Sequence, residues 1–272
     1  MRTLVHLSDL HFGRVDQQLL APLIRLVQII APDVLVVSGD LTQRAKSAEF
    51  IAARVFLDTL PTPQIIVPGN HDIPLLNLVT RFLQPLAKYT RFITTDLTPF
   101  HADAEIAVIG INTARSLTVK DGRINHAQMD EVKARLASLP PEVIRVIVTH
   151  HPFDLPASFN RNDLVGRAPA ALKAFATSGA DLLLAGHLHA SHAGTTTVNH
   201  PIAGFSALAV QAGTATSTRG RGEANSFNVI RTQTNAIAVE RFAWDDAAAQ
   251  FMSADSQAFH REGNCWQLDA VP

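Results

Sequence analysis

Short apolar runs alternate with longer amphipathic segments along the first part of the chain. Behind Asp16, a residue type typical of helix N-caps, leucine, isoleucine and valine recur at helical spacing up to Ile30. Successive strand–helix units imply parallel strands joined by right-handed crossovers. The pattern predicts strands at residues 3–8, 34–37 and 64–67 and helices at about 16–30 and 47–60, the second with Phe50, Val55, Phe56 and Leu57 on its inner face.

The middle of the chain repeats this alternation, and the last part departs from it. Asn125 and Gln128 have the spacing of a capping box at the start of a helix. Further strands are predicted at 106–111, 143–149 and 181–185, and a further helix at 170–178. Beyond His189, short strands at 195–198, 205–210, 227–231 and 237–242 predict an antiparallel second sheet, and no structure is assigned to 245–272.

The length and composition favour a single domain. The chain has 272 residues, of which 47% are hydrophobic, and it contains no internal repeat, linker or low-complexity tract. We therefore expect one domain over residues 1–272. Its candidate site would lie within 9–189, with the strands of the second sheet within 190–243 and an unassigned tail over 245–272.

The charge balance and the cysteine count exclude several classes of protein. A formal net charge of −1 makes a broad basic face for duplex nucleic acid unexpected, and one Tyr and two Trp offer few stacking platforms for single strands. Cys265 is the only cysteine, which excludes an internal disulfide and cysteine-built zinc sites. The first residues do not resemble a signal peptide and no apolar run is long enough to span a bilayer, so we expect a cytoplasmic protein without a membrane partner.

Polar residues of a particular kind follow five of the predicted strands. Each alone has an ordinary explanation, since an Asp after a strand is usually a helix N-cap and Gly-Asn is usual in turns. Together they place carboxylate, amide and imidazole groups at the carboxyl ends of strands, where open α/β sheets have their ligand sites. Such groups bind divalent ions in hydrolases, and a carboxylate such as that of Asp40 can be shared by two ions. The residues are Asp9, His11, Asp40, Asn70, His71, His150, His187 and His189.

These residues lie in five short motifs. The motifs are Asp9-Leu10-His11, Gly39-Asp40, Gly69-Asn70-His71-Asp72, His150-His151-Pro152 and Gly186-His187-Leu188-His189. In this order they resemble the calcineurin-like metallophosphoesterase superfamily, and its bacterial class III cyclic-nucleotide phosphodiesterases most. The resemblance implies the α/β fold class, as a four-layer α/β/β/α sandwich of two mixed β-sheets flanked by helices.

The resemblance also implies a binuclear metal centre and a catalytic histidine. Two divalent ions, of manganese, iron or zinc, would bind two ligand sets that share Asp40. His71 would lie outside both sets and either stabilise the transition state or protonate the leaving oxygen. In the family the first histidine of the His-x-Pro run is the ligand, which selects His150 over His151. The ligand sets are Asp9, His11, Asp40 and His189 for the first ion, and Asp40, Asn70, His150 and His187 for the second.

The implied activity is hydrolysis of phosphodiester bonds in small substrates by a hydroxide that bridges the two ions, with cyclic nucleotides the first class to consider. A metal-dependent nuclease of the same fold and a non-catalytic scaffold remain as alternatives. A structural zinc protein fits poorly, because such sites are usually closed by four ligands that are mainly cysteines. The expected partner is thus a small phosphate ester. Nucleic acid is not favoured, and the oligomeric state is not predicted.

Arginines in three loops are candidates for substrate contact. Arg14 and Arg115 could reach a substrate phosphate as bidentate donors, although a solvated surface arginine is the commoner case. Arg219 and Arg221 lie in a stretch rich in Gly, Thr and Ser that could wall the cleft or form an exposed turn.

One position departs from a pattern found elsewhere in the superfamily. In the protein-phosphatase branch an Asp three places after the bridging Asp orients the catalytic histidine, and here that position is Gln43. Either Asp72 or a backbone carbonyl must therefore orient His71, unless His71 is a weaker acid than in that branch.

Overall fold

Two β-sheets stacked face to face form the centre of the protein in a computed structural model. The structure describes residues 1–75, 77–118, 120–156, 159–196, 201–219 and 222–270. The strands are β1 (Arg2–Leu7), β2 (Val34–Val37), β3 (Gln64–Ile66), β4 (Phe100–Ala102), β5 (Ile106–Gly110), β6 (Ile144–Val148), β7 (Leu182–Ala185), β8 (His192–Thr195), β9 (Leu208–Gln211), β10 (Ser226–Gln233), β11 (Ala236–Asp245), β12 (Gln250–Glu262) and β13 (Cys265–Leu268). The helices are α1 (Gln17–Ile30), α2 (Ser47–Leu57), α3 (Leu78–Leu83), α4 (Ala87–Phe92), α5 (His126–Ala137) and α6 (Ala168–Thr177), with 3₁₀ turns at Asn70–Asp72 and Arg161–Asp163.

The first sheet combines parallel and antiparallel strands in the order β13–β12–β11–β10–β1–β2–β3. Its strands β1, β2 and β3 are parallel, with Val5 opposite Leu35 and Val36 opposite Ile65. On its other side β1 pairs antiparallel with β10, and β10 to β13 form an antiparallel meander. The three parallel strands therefore end at the same edge, as the sequence predicts.

The second sheet has the order β4–β5–β6–β7–β9–β8. Strands β5, β6, β7 and β9 are parallel, and β4 and β8 pair antiparallel at the two edges. Every residue of the four parallel strands is buried. Covering on both faces explains why their sequences are nearly continuous apolar runs instead of alternating patterns.

Three hydrophobic clusters define four layers. One lies between the first sheet and helices α1 and α2, where Leu23 and Phe50 are fully buried. A second fills the space between the two sheets and includes Val36 and Val146. A third lies between the second sheet and helices α5 and α6 and includes Phe175. The predicted α/β/β/α sandwich of two mixed sheets flanked by helices is confirmed.

The predicted arrangement of the strands after His189 is wrong. These strands do not form a sheet of their own, because β10 and β11 extend the first sheet while β8 and β9 extend the second. In addition, β9 is parallel to β7. The strand predicted at 195–198 is found at His192–Thr195 instead, and residues 197–198 lie outside the described residues. Periodicity identifies a strand but not its partner, which depends on contacts distant in sequence.

The tail over 245–272, which has no predicted structure, contains β12 and β13. Most of β12 is polar, and only Phe251 and Phe259 of its 13 residues are buried. A bulge opposite Arg241 inserts one residue into β12 and shifts the alternation of its side chains. Phe251 and Phe259 therefore face opposite sides of the sheet, although they are eight positions apart and this even spacing would place them on the same side of a regular strand. This loss of period explains why the sequence pattern did not reveal the strand.

The helix starts follow their local signals. Asp16 caps α1 through its carboxylate, and Asn125 and Gln128 form the predicted capping box of α5. On α2 the prediction that Val55 faces inward is wrong, since this side chain is 63% exposed and Ala53 is buried instead. Ala53 follows Phe50 by three residues, which places both on one helical face, whereas a residue five places on points away.

Replacing Phe259 with Ala is expected to lower the free energy of unfolding by about 3–5 kcal/mol, the usual cost of deleting a buried Phe side chain. Phe259 is 1% exposed in the cluster between the sheets. Met252, on the same strand, is 46% exposed and serves as the control, since Met252→Ala should change the free energy by about 0.5 kcal/mol or less. Urea denaturation followed by circular dichroism measures both. A single transition would agree with one domain over 1–272, and separate unfolding of the tail would contradict it.

Candidate metal centre

Loops from both sheets meet where the central strands end. Within the first sheet the backbone N–H of His11 donates to the carbonyl of Asp40 at 2.9 Å, which joins the loops after β1 and β2. Between the sheets the backbone N–H of His187 donates to Asp9 Oδ2 at 3.0 Å. These bonds hold the strand ends of the two sheets against each other, so that side chains far apart in sequence face one small volume.

The backbone at these loops is unusual. A non-glycine residue with positive φ is uncommon, and Asp, Asn and His tolerate it better than most residues. A left-handed residue turns the chain sharply and re-aims its side chain, and such outliers concentrate at functional sites. Five candidate ligands have φ between 49° and 75°: Asp9, His11, Asp40, His187 and His189.

Glycine is required at two motif positions because atoms of a neighbouring loop lie too close to the backbone there to leave room for a side chain. A Cβ at Gly69 would lie 2.1 Å from Asp40 Oδ1, and a Cβ at Gly186 would lie 1.8 Å from Ser8 Oγ. Side chains at either position would push the loops apart. The two glycines therefore allow the loops that carry the candidate ligands to pack against each other.

The first predicted ligand group converges. The ligand atoms of Asp9, His11, Asp40 and His189 all lie within 4.8 Å of one another. His189 Nε2 is 3.1 Å from both Asp9 Oδ1 and His11 Nε2, and His11 Nε2 is 3.7 Å from Asp40 Oδ2. Donor atoms at about 2.1 Å from an ion are about 3.4 Å apart in a tetrahedral arrangement. The observed spacing therefore fits a metal ion.

The second predicted group converges on the other side of Asp40. Asn70 Oδ1 is 3.1 Å from both His150 Nε2 and His187 Nδ1, and these two ring nitrogens are 3.3 Å apart. His150 Nε2 is 3.5 Å from Asp40 Oδ1. One oxygen of Asp40 thus faces each group.

His151 lies among the imidazoles of the second group but has other partners. Its ligand atom lies within 4.8 Å of those of His150 and His187. However, its Nε2 is 2.8 Å from the carbonyl of Lys120 and its Nδ1 is 2.8 Å from Thr113 Oγ1. Because a carbonyl only accepts, Nε2 carries the proton and Nδ1 accepts from the hydroxyl. Neither nitrogen is then available to an ion, which favours His150 as the ligand.

The contact between His189 and Asp9 shows where a cation fits. The His189 Nδ1–H donates to the carbonyl of Arg219 at 3.1 Å, so Nε2 is the ring nitrogen that faces the centre. Nε2 faces Asp9 Oδ1, a buried oxygen that has no hydrogen-bond partner among the described residues. Burial lowers the pKa of His189, but Asp9 outweighs burial and raises this pKa, so a cation is favoured between the two atoms, either a proton on Nε2 or a metal ion.

The two carboxylates make the centre attract positive charge. Burial lowers the pKa of His150, but Asp40 and Asp9 outweigh burial and raise this pKa to about 9. Burial would also raise the pKa of Asp40, but the neighbouring histidines, His150 above all, hold it well below its ordinary value. The carboxylates thus stay ionised, and either protons on the imidazoles or metal ions balance them.

Hydrogen bonds behind the candidate ligands fix their orientation. The His150 Nδ1–H donates to the carbonyl of Ser38 at 2.8 Å, and the hydroxyl of Ser38 is 2.8 Å from His6 Nε2. Burial lowers the pKa of His6 to about 3, so this ring is neutral. Such outer partners fix the tautomer of a ligating imidazole and raise its basicity.

His71 stands beside the first group, with its ring centroid 4.9 Å from that of His11. Its Nδ1 is 2.9 Å from the carbonyl of Gln43, and its Nε2 is 2.9 Å from Arg219 Nη1. Because the carbonyl accepts and the guanidinium donates, Nδ1 carries the proton and Nε2 accepts. Burial lowers the pKa of His71 despite the opposite effect of Asp40, which agrees with a neutral ring.

The backbone carbonyl of Gln43, and not Asp72, therefore orients His71. The buried carboxylate of Asp72 instead links the loop after β2 to the turn after β3. It accepts from three backbone N–H groups, at 3.1, 2.9 and 2.9 Å, those of Leu41, Thr42 and Gly69.

The predicted arginines differ in their surroundings. Arg14 is exposed on the loop after β1. The guanidinium of Arg115 donates to two carbonyls of its own loop and to Gln128 Oε1 at 2.8 Å, so it would have to release these partners to reach a substrate. Arg219 contacts His71, and no local pattern in the sequence indicates this contact. Arg221 lies outside the described residues.

The chain belongs to the calcineurin-like phosphoesterase family, whose sequence model matches residues 2–191. The predicted family is thereby confirmed. Members of this family use divalent metals, and the group of Asp and His side chains described above could bind them.

One protein of known name is similar to this chain in sequence, and two solved structures are similar to it in fold. A segment of 94 residues is 32% identical to the glycerophosphodiester phosphodiesterase GpdQ from Enterobacter lignolyticus (strain SCF1), and it covers 30% of this chain and 33% of that relative. A purple acid phosphatase from yellow lupin (Lupinus luteus) has a TM-score of 0.70 at 11% identity, over 96% of this chain and 54% of that chain. A dimetal phosphatase from Danio rerio also has a TM-score of 0.70 at 11% identity, over 94% and 98%. At this identity the two structures show a shared fold.

None of the helices in the described part of the chain has the length and apolar character needed to cross a membrane.

Replacing Asp40 with Ala should lower the amount of bound metal and abolish turnover, because both ligand groups lose their shared anionic oxygen donor. Metal content is measured by elemental analysis after incubation with Mn²⁺ and desalting. The control is Asp130→Ala, which removes an exposed carboxylate on α5 and should leave the metal content unchanged. An Asp40→Ala protein that is fully metallated and active would contradict the assignment.

Proposed function

We propose that this chain is a phosphodiesterase of small substrates that works with two divalent ions. The Asp40 carboxylate carries the proposal, because its Oδ2 faces His11 Nε2 at 3.7 Å and its Oδ1 faces His150 Nε2 at 3.5 Å. A buried carboxylate between two groups of nitrogen and oxygen donors supports a pair of ions with one shared ligand.

The proposed ligands are the predicted ones, and manganese, iron and zinc all suit them. When bound, a metal pair activates water as the nucleophile and neutralises charge on the phosphoryl oxygens. The residues that would hold the pair are Asp9, His11, Asp40 and His189 for one ion, and Asp40, Asn70, His150 and His187 for the other.

His71 is proposed to act on the leaving oxygen. Its Nδ1–H is held by the carbonyl of Gln43, so only Nε2 can exchange a proton with the substrate. Since Nε2 accepts from Arg219 in the structure, the ring must gain a proton there before it can serve as an acid. Its backbone N–H also donates to Asp40 Oδ1 at 2.8 Å, which ties its position to the shared carboxylate.

Two observations favour a diester over a monoester. The relative that matches 94 residues is a glycerophosphodiester phosphodiesterase by name, which supports a diester substrate for this chain. The net charge of −1 offers no bulk attraction to a dianionic monoester. Cyclic nucleotides are the first class of diester to test. Arg14 remains a proposed contact of the substrate phosphate, as does Arg115 if its loop opens.

A substrate panel with the Mn²⁺-loaded protein tests the proposal. Bis-p-nitrophenyl phosphate should be hydrolysed with a higher kcat/KM than p-nitrophenyl phosphate, and cyclic AMP should be turned over. If the monoester has the higher kcat/KM, the protein is a phosphatase. If single-stranded DNA is the one substrate cleaved, the nuclease alternative replaces the proposal, and no turnover with both ions bound would favour the scaffold.

Replacing His71 with Ala should lower kcat by about 10²–10⁴ for an alkoxide leaving group, the usual range for general acid–base catalysis, while metal content persists. The loss should be smaller for p-nitrophenolate, which leaves without a proton. The control is His126→Ala, at an exposed residue of α5, with no expected effect. Equal losses on both leaving groups would indicate electrostatic stabilisation instead, and no loss on either would remove His71 from the mechanism.

A further inference from the structure

Arg219 joins two parts of the centre although it lies beyond residues 2–191, which the family model matches. It lies in the loop between β9 and β10 and is half-buried. Its backbone carbonyl accepts from His189 Nδ1 at 3.1 Å, and its Nη1 donates to His71 Nε2 at 2.9 Å. One residue thus touches a candidate ligand of the first ion and the candidate acid.

The loop that carries Arg219 is anchored on the loop after β1. The hydroxyl of Thr214 donates to the carbonyl of Asp9 at 2.7 Å, and the hydroxyl of Thr216 donates to the carbonyl of Leu10 at 2.8 Å. The backbone N–H of Arg219 itself bonds to Ser217 Oγ at 3.1 Å. The guanidinium is therefore placed beside the centre by fixed contacts of its loop.

The charge of the metal-loaded centre indicates that this guanidinium can help to bind an anion. Two divalent ions would bring four positive charges, of which the carboxylates of Asp9 and Asp40 balance two. A further cation next to His71 increases the positive excess, and such a site is balanced when an anion binds. A phosphate ester supplies that anion. The planar fork of a guanidinium suits phosphoryl oxygens, and its adjacent N–H groups can contact an imidazole and an oxygen together.

We propose that Arg219 is a substrate-binding residue whose guanidinium donates to a non-bridging oxygen of the phosphoryl group. This inference rests on the proposed function of the same centre. When His71 takes up a proton at Nε2 to act as the acid, this nitrogen no longer accepts from Arg219, and the guanidinium keeps its contact with the phosphoryl oxygen.

The structure makes this role separable from metal binding. The contact with His189 uses the backbone carbonyl of Arg219, which any substitution of the side chain retains. Arg219→Gln should therefore keep the metal content of the wild type and lose only the charged donor. Arg219→Lys keeps the charge without the fork and should recover part of the loss.

The first test is kinetic and uses the Mn²⁺-loaded protein. Arg219→Gln should lower kcat/KM for bis-p-nitrophenyl phosphate by about 10- to 100-fold, the range for loss of a hydrogen bond to a charged group. Arg25→Gln, at an exposed residue of α1, is the control and should change nothing. The loss should persist at about tenfold or more in a His71→Ala background. If it disappears there, Arg219 acts only through His71 and the proposal is overturned.

The second test does not depend on turnover. Calorimetric titration with inorganic phosphate should give a dissociation constant about tenfold weaker for Arg219→Gln than for the wild type at equal metal content. This result would support the proposal even if the wild type hydrolyses none of the panel substrates, in which case the proposed function alone fails. Equal phosphate affinity in the two proteins, or no phosphate binding by the metal-loaded wild type, would overturn the proposal.

Discussion

The buried carboxylate of Asp40 is the group on which the rest of the centre depends. It is 1% exposed, and a carboxylate removed from water is unstable without partners. Its Oδ1 accepts from the backbone N–H of His71 at 2.8 Å and faces His150, and its Oδ2 faces His11. These partners come from both sheets, so the two sheets must bring their strand ends to one point. The loops after the central strands are folded to meet this requirement.

Backbone strain is the cost of that arrangement. Asp40 and four other candidate ligands have positive φ, and each such residue costs about 1–3 kcal/mol. The loops also pack so closely that Gly69 and Gly186 leave no room for a Cβ. The rigid support comes from the core between the sheets and from the parallel strands of the second sheet, which are buried along their whole length. A strained, preorganised site on a rigid scaffold is what binding several charged groups at close range requires.

The part of the chain that follows the last motif, after His189, contributes to the same centre as the motifs themselves. Its strands extend both sheets, and the loop before β10 rests on the loop after β1 through Thr214 and Thr216. The candidate metal ligands lie within the segment matched by the family model, whereas Arg219 lies outside it. The candidate ligands thus lie in the part of the chain that the family shares, and Arg219 lies in a loop outside that part. In general, members of an enzyme family share the reactive centre and differ in the loops that select the substrate.

Local signals in the sequence determined the elements around the site. The cap at Asp16, the capping box at Asn125 and the apolar runs that end in polar residues all depend on neighbours in the chain, so their physical basis is readable without a fold. The convergence of these polar residues also follows from parallel strands that end at one edge.

Only the tertiary structure shows which hydrogen bonds and strand pairs join residues that are distant in sequence. Both His150 and His151 follow β6, and although the family resemblance favours His150, the physical reason lies in the fold, where Thr113 and Lys120 occupy the nitrogens of His151. A backbone carbonyl orients His71, and because every residue has such a carbonyl, the sequence does not indicate this contact. A bulge interrupts the alternation of side chains in β12, so its pairing is not readable from the sequence either. A sequence records which groups a residue carries, whereas hydrogen-bond partners, burial and strand pairing are set by contacts between segments that meet only in the folded chain.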